Sequence, residues 1–291
     1  MDYLYAVIIP HYNDVTRLER CLDVLARHKR DDTEIVVVDN MSTAPLADTI
    51  AKFPSIRFLF EPGKGAALAR NTGVRETTAP TLFFIDADCL PAEDWLETAT
   101  RVYSQADLVG GRVDVFDETP PPRSGAEAFE AVFAFPIQSY IRDQGFTVTA
   151  NLLTRREVFE DVGFFRNGLS EDLDWCQRAK AKGYNLVYVD DLAVCHPSRQ
   201  NEAALKHKWR RVTQELYALN GTSIPARMRW AARALAMPLS AVAHTPKVLR
   251  NSQLNGAGER WRGLVTLYRL RSLRGLWMLG QAAGSVFKPR D

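Results

Sequence analysis

Thr81-Leu-Phe-Phe-Ile-Asp-Ala-Asp88 is a short apolar, β-branched and aromatic run that stops on two carboxylates. A run of this length bounded by polar residues reads as a strand buried on both faces. Three upstream runs have the same form: Leu4–Ile9, Glu34–Val38 and Ile56–Phe60. Between them the spacing turns helical, in Val15–Arg27 (Leu18, Leu22 and Leu25 on one face), Pro45–Lys52 and the Ala-rich Ala66–Arg75. Strands alternating with helices predict an α/β fold with a mainly parallel sheet between helices. Each strand is followed by a polar cluster: His11-Tyr-Asn-Asp14, Asp39-Asn-Met-Ser42, Glu61-Pro-Gly-Lys-Gly65 and Asp86-Ala-Asp88. Parallel strands place their carboxyl ends on one edge, so the four clusters converge on a crevice of the kind that binds ligands.

Beyond residue 90 the rhythm changes. Ala92–Tyr103 reads as a helix, Leu108–Phe116 as extended, and Asp117–Gly125, with Pro120, Pro121 and Pro122, as a loop. Ala126–Ile141 reads as a helix and Asn185–Val189 as a strand. From Asn201 the pattern is helical throughout, with breaks expected at Pro225, Pro238 and Pro246. The 291 residues carry 37 Lys and Arg against 35 Asp and Glu, a net +2, which argues against a nucleic-acid partner. That balance hides an asymmetry: residues 201–291 hold 16 basic and 4 acidic residues (+12), leaving −10 on residues 1–200. A basic tail on an acidic body points to an anionic membrane surface, or else to packing or homo-oligomer contacts with that body. In Trp261–Phe287, apolar residues interrupted by Arg269, Arg271 and Arg274 suit a helix lying in a bilayer interface. No stretch is apolar enough to span a bilayer, no targeting segment is evident, and Cys21, Cys89, Cys176 and Cys195 form no C-x-x-C pair. The expectation is a cytoplasmic protein with reduced thiols, peripheral on the inner face of the cell membrane.

The chemistry gathers at three places. Asp86 and Asp88, two apart in extended chain, share one side of a strand end and invite a hard divalent cation that bridges to phosphate oxygens. His196, after the later strand, is a candidate third ligand, and an imidazole there favours Mn2+ over Mg2+. Ser170-Glu-Asp-Leu-Asp174 reads as an N-cap followed by an acidic first helical turn, where a carboxylate such as Asp172 can accept a proton. Lys64 could meet phosphate, but its surroundings match neither a P-loop nor a dinucleotide fingerprint. Trp95, near the aspartates, could stack on a sugar or fill the core.

Six segments carry a resemblance: Val7-Ile-Ile-Pro-His-Tyr-Asn13, Ile35-Val-Val-Val-Asp39, Gly65-Ala-Ala-Leu-Ala-Arg-Asn-Thr-Gly73, Phe83-Phe-Ile-Asp-Ala-Asp88, Thr149-Ala-Asn-Leu-Leu-Thr-Arg155 and Ser170-Glu-Asp-Leu-Asp-Trp-Cys-Gln-Arg178. In this order and spacing the chain resembles a family 2 glycosyltransferase with the GT-A fold. The resemblance covers residues 4–200. It implies a catalytic domain over 1–200 (a donor- and metal-binding half, 1–110, and an acceptor-binding half, 111–200), followed by a basic helical extension, 201–291. It implies that Pro10 and Tyr12 shape the floor under the nucleotide base, that Asn13 binds the nucleotide-sugar, that Asp39 hydrogen-bonds the base, usually uracil, and that Arg70 lies near ribose or diphosphate. Asp86 would face ribose and metal, Asp88 would ligate the metal, and Asn151 would lie at the donor. Asp172, with Glu171 beside it, would be the catalytic base of an inverting enzyme.

The Q-x-x-R-W of many processive members is missing; only Lys208-Trp-Arg-Arg211 is present, which favours addition of a single sugar. The expected function is metal-dependent (Mn2+ or Mg2+) transfer from a nucleotide-sugar, typically a UDP-sugar, to a glycan or lipid-linked acceptor in bacterial polysaccharide synthesis. Two rivals are weighed. A sugar-nucleotide pyrophosphorylase would need a Gly-rich loop after the first strand, which His11-Tyr-Asn-Asp14 lacks. A non-catalytic, membrane-docked nucleotide-sugar-binding protein would have no need of Asp86, Asp88, Glu171 and Asp172 together.

Overall fold

The computed structural model describes residues 3–284. Eight strands form one sheet in the order β3-β2-β1-β4-β7-β6-β8-β5. They are β1 (Tyr5–His11), β2 (Thr33–Asp39), β3 (Arg57–Phe60), β4 (Thr81–Ile85), β5 (Leu90–Pro91), β6 (Leu108–Phe116), β7 (Asn151–Arg155) and β8 (Leu186–Pro197). The helices are α1 (Val15–Arg27), α2 (Ala47–Lys52), α3 (Ala66–Arg75), α4 (Trp95–Val102), α5 (Gly125–Phe133), α6 (Ile137–Ser139), α7 (Arg156–Val162), α8 (Glu171–Ala181), α9 (Glu202–Asn220), α10 (Ile224–Leu249) and α11 (Gly256–Ala282).

β1 pairs in parallel with β2 and β4, and β2 with β3. Beyond β4 the direction reverses, with β7 antiparallel to β4 and to β6, and β5 antiparallel to β8. This is the mixed, partly parallel sheet of a GT-A-like fold. Its centre is apolar on both faces: Val7, Ile9, Phe83 and Ile85 enter one core with α1 and α4, and Ala6, Ile8, Leu82 and Phe84 enter another with α7 and α8. Burying each of the larger of these side chains contributes about 1.5–3 kcal/mol. Trp95 belongs to the first core, fully buried edge-on to Phe83, so it is not a sugar platform. The four cysteines are free thiols.

The chain divides into two compact units. One comprises residues 1–114 and 135–196, the other residues 115–134 and 197–291. Residues 115–134, expected within the acceptor-binding half, therefore belong with the C-terminal helices: α5 contributes Phe129 and Val132 to a core shared with Leu205, Leu267 and Leu270. The helix expected over Ala126–Ile141 stops at Phe133, because Pro136 disfavours helical backbone before it and Phe135 adopts φ +47°.

Two further expectations are corrected in the second unit. Pro238 and Pro246 do not break α10, which runs on from Ile224 to Leu249, and Pro225 lies in its first turn, where proline fits. Pro238 cannot donate to the Ala234 carbonyl four residues back, and Gly275 of α11 packs against that oxygen so closely that a Cβ would come within 2.9 Å. The segment read as an interfacial helix is instead the core of this unit, since α11 buries Leu267, Leu270 and Met278. Its expected end at Phe287 lies outside the described residues. Among the described residues no helix is long and apolar enough to cross a membrane.

Candidate active site

The carboxyl ends of β1, β2 and β3 build the first part of the crevice. His11, Asp39 and Phe60 are register partners on these adjacent strands, which places their side chains on one face. His11 is buried, and its Nε2 accepts the Asp14 backbone N–H at 3.1 Å. That assigns the ring proton to Nδ1, which donates it to Asp39 Oδ1 at 3.1 Å. Asp39 Oδ2 accepts the Ser42 backbone N–H at 3.2 Å. The carboxylate is thus fixed from both sides, yet its spare lone pairs can accept from a ligand. Tyr12 is exposed and Pro10 half-buried at the same edge. Asn13 serves the loop: its Oδ1 accepts from the Thr43 and Ala44 backbone N–H groups at 2.8 and 3.1 Å, and its own φ is +52°. Phe60, 61% exposed, is a site candidate that the sequence pattern did not single out, because it reads as one more strand residue.

The second part lies at the end of β4. The chain turns directly after Ile85, with Cys89 N–H bonded to the Asp86 carbonyl, so Asp86 and Asp88 do not sit in extended chain as expected. The two carboxylates meet different partners. Asp86 accepts from Arg70 Nη2 at 2.5 Å, and Asp88 Oδ2 stands 3.2 Å from His196 Nε2. Two of the three expected metal ligands therefore meet. Among the described residues, no cluster of three or more His, Cys, Asp or Glu is formed. The pair nevertheless fits a divalent ion: adjacent ligands on an octahedral ion with 2.0–2.1 Å bonds stand about 3 Å apart, and the remaining positions suit water and phosphate oxygens. The Phe135 ring lies 4.9 Å from the imidazole and covers it.

α3 joins this edge to the third part. Arg70, on α3, is 4% exposed and spans two carboxylates, Asp86 on one side and Glu171, the first residue of α8, on the other. Burial alone would weaken its charge, but Asp86 and Glu171 outweigh that and hold the guanidinium firmly protonated. Arg70 is thus enclosed as a tether. Asp172 accepts the Thr149 backbone N–H at 3.1 Å. Burial and the neighbouring Glu171 charge push its carboxyl up to about 6, against the opposing pull of Arg70. This corrects the expected picture of a dipole-stabilised acid. Ser170 occupies the cap position without a side-chain capping bond, and desolvation dominates. The loop before α8 is held by Asn71, which bonds Phe165 at both its N–H and its carbonyl (3.0 and 2.9 Å), and by Arg178, which donates to the Val162, Gly163 and Phe164 carbonyls.

Asn151 is corrected as well. It is fully buried, accepts from Trp95 Nε1 at 3.0 Å, and donates to the Arg112 and Leu192 carbonyls at 2.9 and 2.8 Å. Its hydrogen-bonding atoms face inward, and Gly111 leaves room for it, since a Cβ there would come within 2.2 Å of the Asn151 amide. Lys64 is exposed.

The same architecture recurs in solved glycosyltransferases. The mannosyltransferase PcManGT of Pyrobaculum calidifontis, solved with GDP-Man and Mn2+, superposes with a TM-score of 0.60 at 20% identity, covering 100% of this chain and 89% of that one. S. aureus TarS 1-349 with UDP-GlcNAc gives 0.52 at 15% identity, covering 99% and 93%. In sequence, the chain is 32% identical over 216 residues to the glycosyltransferase AglE of Haloferax volcanii, 70% of each protein. It spans 42% and 52% of the length of further curated relatives. Fold and sequence together define a nucleotide-sugar-dependent glycosyltransferase. Residues 6–163 match Glycosyl transferase family 2, and the chain belongs to that family.

Proposed function

We propose that the protein is an inverting, metal-dependent glycosyltransferase that moves one sugar from a nucleoside diphosphate donor to a hydroxyl of a glycan or lipid-linked acceptor. The observation that carries this reading is the Arg70 tether, which joins Asp86, two residues before Asp88, to Glu171 at the acidic start of α8. Asp39, an acceptor-only carboxylate, suits a base edge that offers an N–H, as uracil and guanine do and cytosine and adenine do not in their pairing-edge ring nitrogen. Tyr12 and Phe60 offer exposed rings beside it for stacking. GDP-mannose in one structural neighbour and UDP-GlcNAc in another fit that requirement equally.

Asp88 and His196 are the residues that would hold a divalent cation, and such an ion, when bound, supplies charge to the leaving diphosphate. Asp172 takes the proton of the acceptor hydroxyl at a carboxylate oxygen. As it loses that proton, the acceptor hydroxyl oxygen forms its bond to the anomeric carbon from the face opposite the diphosphate, and the bond from that carbon to the diphosphate breaks with its electron pair going to the leaving nucleoside diphosphate. A carboxyl at about 6 is ionised at neutral pH and still basic enough to accept a proton in flight. The Thr149 N–H fixes the direction of its carboxylate.

The test is turnover of UDP- and GDP-sugars with Mn2+, Mg2+ or chelator, on wild type and Asp88→Ala. Release of the nucleoside diphosphate that requires the metal and is lost in Asp88→Ala is expected. Turnover unchanged by chelator would overturn the metal assignment, and preference for CDP- or ADP-sugars would overturn the role of Asp39.

A further inference from the structure

α10 presents an unusual outer face. Ile224, Met228, Leu235, Leu239 and Val242 are all exposed, Ile224 at 73% and Leu239 at 72%. At 100° per residue these five fall within about 60° of one another, a single stripe along the helix. The inward face of the same helix is separately satisfied by Ala226, Trp230, Ala234, Ala241 and Val248. The stripe is therefore a second apolar face on a helix whose packing within its own unit is already complete. Exposed leucines singly are ordinary, but a contiguous row is not.

The charge around the stripe has one sign. α10 contains Arg227, Arg229, Arg233 and Lys247, with Arg250 directly after it, and no Asp or Glu. Over residues 224–284 the single carboxylate is Glu259, which is 2% exposed and accepts the backbone N–H groups of Arg123 and Asn255. Nothing acidic on this stretch faces outward to repel an anion. We propose that the outer face of α10 docks on an anionic lipid bilayer, its apolar stripe in the acyl boundary and Arg229, Lys247 and Arg250, which flank it, among the headgroups. A bilayer interface supplies both things the face requires, an apolar layer and a plane of negative charge beside it. A second copy supplies only the first: in a two-fold contact of α10 with itself, each cation would meet cations. This rests on the second unit alone and stands apart from the site chemistry.

The experiment is co-sedimentation of the full chain with vesicles of pure phosphatidylcholine or of phosphatidylcholine with one-third phosphatidylglycerol, at low and high salt. Mass in solution is measured in parallel. Wild type should pellet with the anionic vesicles, release at high salt, and ignore the neutral ones. Arg229→Gln/Lys247→Gln should weaken partitioning about 30-fold, at roughly fivefold per lost charge, and Leu235→Asn/Leu239→Asn at least about tenfold. All these side chains are exposed, so the variants should keep the wild-type circular dichroism and donor turnover. Equal binding to neutral vesicles overturns the proposal. So does no binding to either, or a dimer that Leu235→Asn/Leu239→Asn converts to monomer.

Discussion

Asp39 and Asp172 are the same residue type at two ends of one crevice, and their surroundings give them opposite tasks. Asp39 receives an imidazole N–H and a backbone N–H, one on each oxygen, and no like charge among those partners. Its partners leave it placed to accept from a ligand. Asp172 receives one backbone N–H, heavy desolvation and an adjacent Glu171, which push its carboxyl up to about 6. It is built to exchange a proton. On the proposed reading, environment divides recognition from catalysis, as in other enzymes where two carboxylates share a site.

The sharpest way to break the contrast is Asp172→Asn. The amide keeps the shape and can still accept from Thr149, but it cannot take a proton. Turnover should fall about 10²–10⁴-fold, with donor affinity unchanged. In the wild type, kcat should rise with pH through about 6 as Asp172 ionises. The stability effect has the opposite sense. A carboxyl raised in the folded state contributes stability below its ordinary value near 3.8, and that contribution is lost as pH rises through about 6. Asp172→Asn should therefore melt higher than wild type at pH 8, by up to about 3 kcal/mol, with the gap closing toward pH 4. Thermal melts and a pH–rate series on both proteins measure this, and a flat wild-type profile between pH 5 and 8 would remove Asp172 as the base.

Arg70→Gln attacks the same end through its cation. Removing one partner from a buried pair costs about 3–5 kcal/mol, and here Asp86, Glu171 and Asp172 would all be left facing less positive charge. In whatever protein remains folded, the acid limb of kcat should move above its wild-type position, since Arg70 holds the Asp172 carboxyl down. Arg70→Lys should recover stability better than it recovers rate, because an ammonium cannot span both carboxylates as a planar fork does. A limb that stays put in Arg70→Gln would show that Arg70 has no hold on the base.

Much of this was legible in the sequence, and what was not has a common cause. α1, α3, β4 and β6 begin and end where periodicity and composition place them, because each is set by local pattern. The four polar clusters were legible for the same reason: they follow from strand direction. The partners of those residues were not. Arg70 and Glu171 are 101 positions apart and Asn151 and Trp95 are 56 apart, so no window could reveal that the arginine is enclosed or that the asparagine is spent on two carbonyls and an indole. α10 and α11 failed differently. Both carry apolar residues among arginines, and only packing decides that α11 turns Leu267, Leu270 and Met278 to the core and leaves Trp261, Tyr268 and Leu276 exposed, while α10 keeps a row of five outside.

The smallest expected effect tests the recognition end. Phe60 shares a face with Asp39 and leaves 61% of its surface open, so it contributes little to the fold. Phe60→Ala should leave the melting temperature and kcat unchanged. If the ring stacks on the donor base, its loss should raise donor KM by about tenfold, the lower to middle part of the 1–3 kcal/mol that base–aromatic stacking contributes. Phe60→Tyr should restore it, since stacking needs only the aromatic plane. The effect belongs to the nucleotide and not to the sugar, so it should be the same for any sugar carried on one nucleotide, and free nucleoside diphosphate should lose affinity in parallel. A raised KM with unchanged affinity for the free nucleotide would place Phe60 against the sugar. An unchanged KM would leave Asp39 and Tyr12 to hold the base, and would narrow the recognition end to β1 and β2.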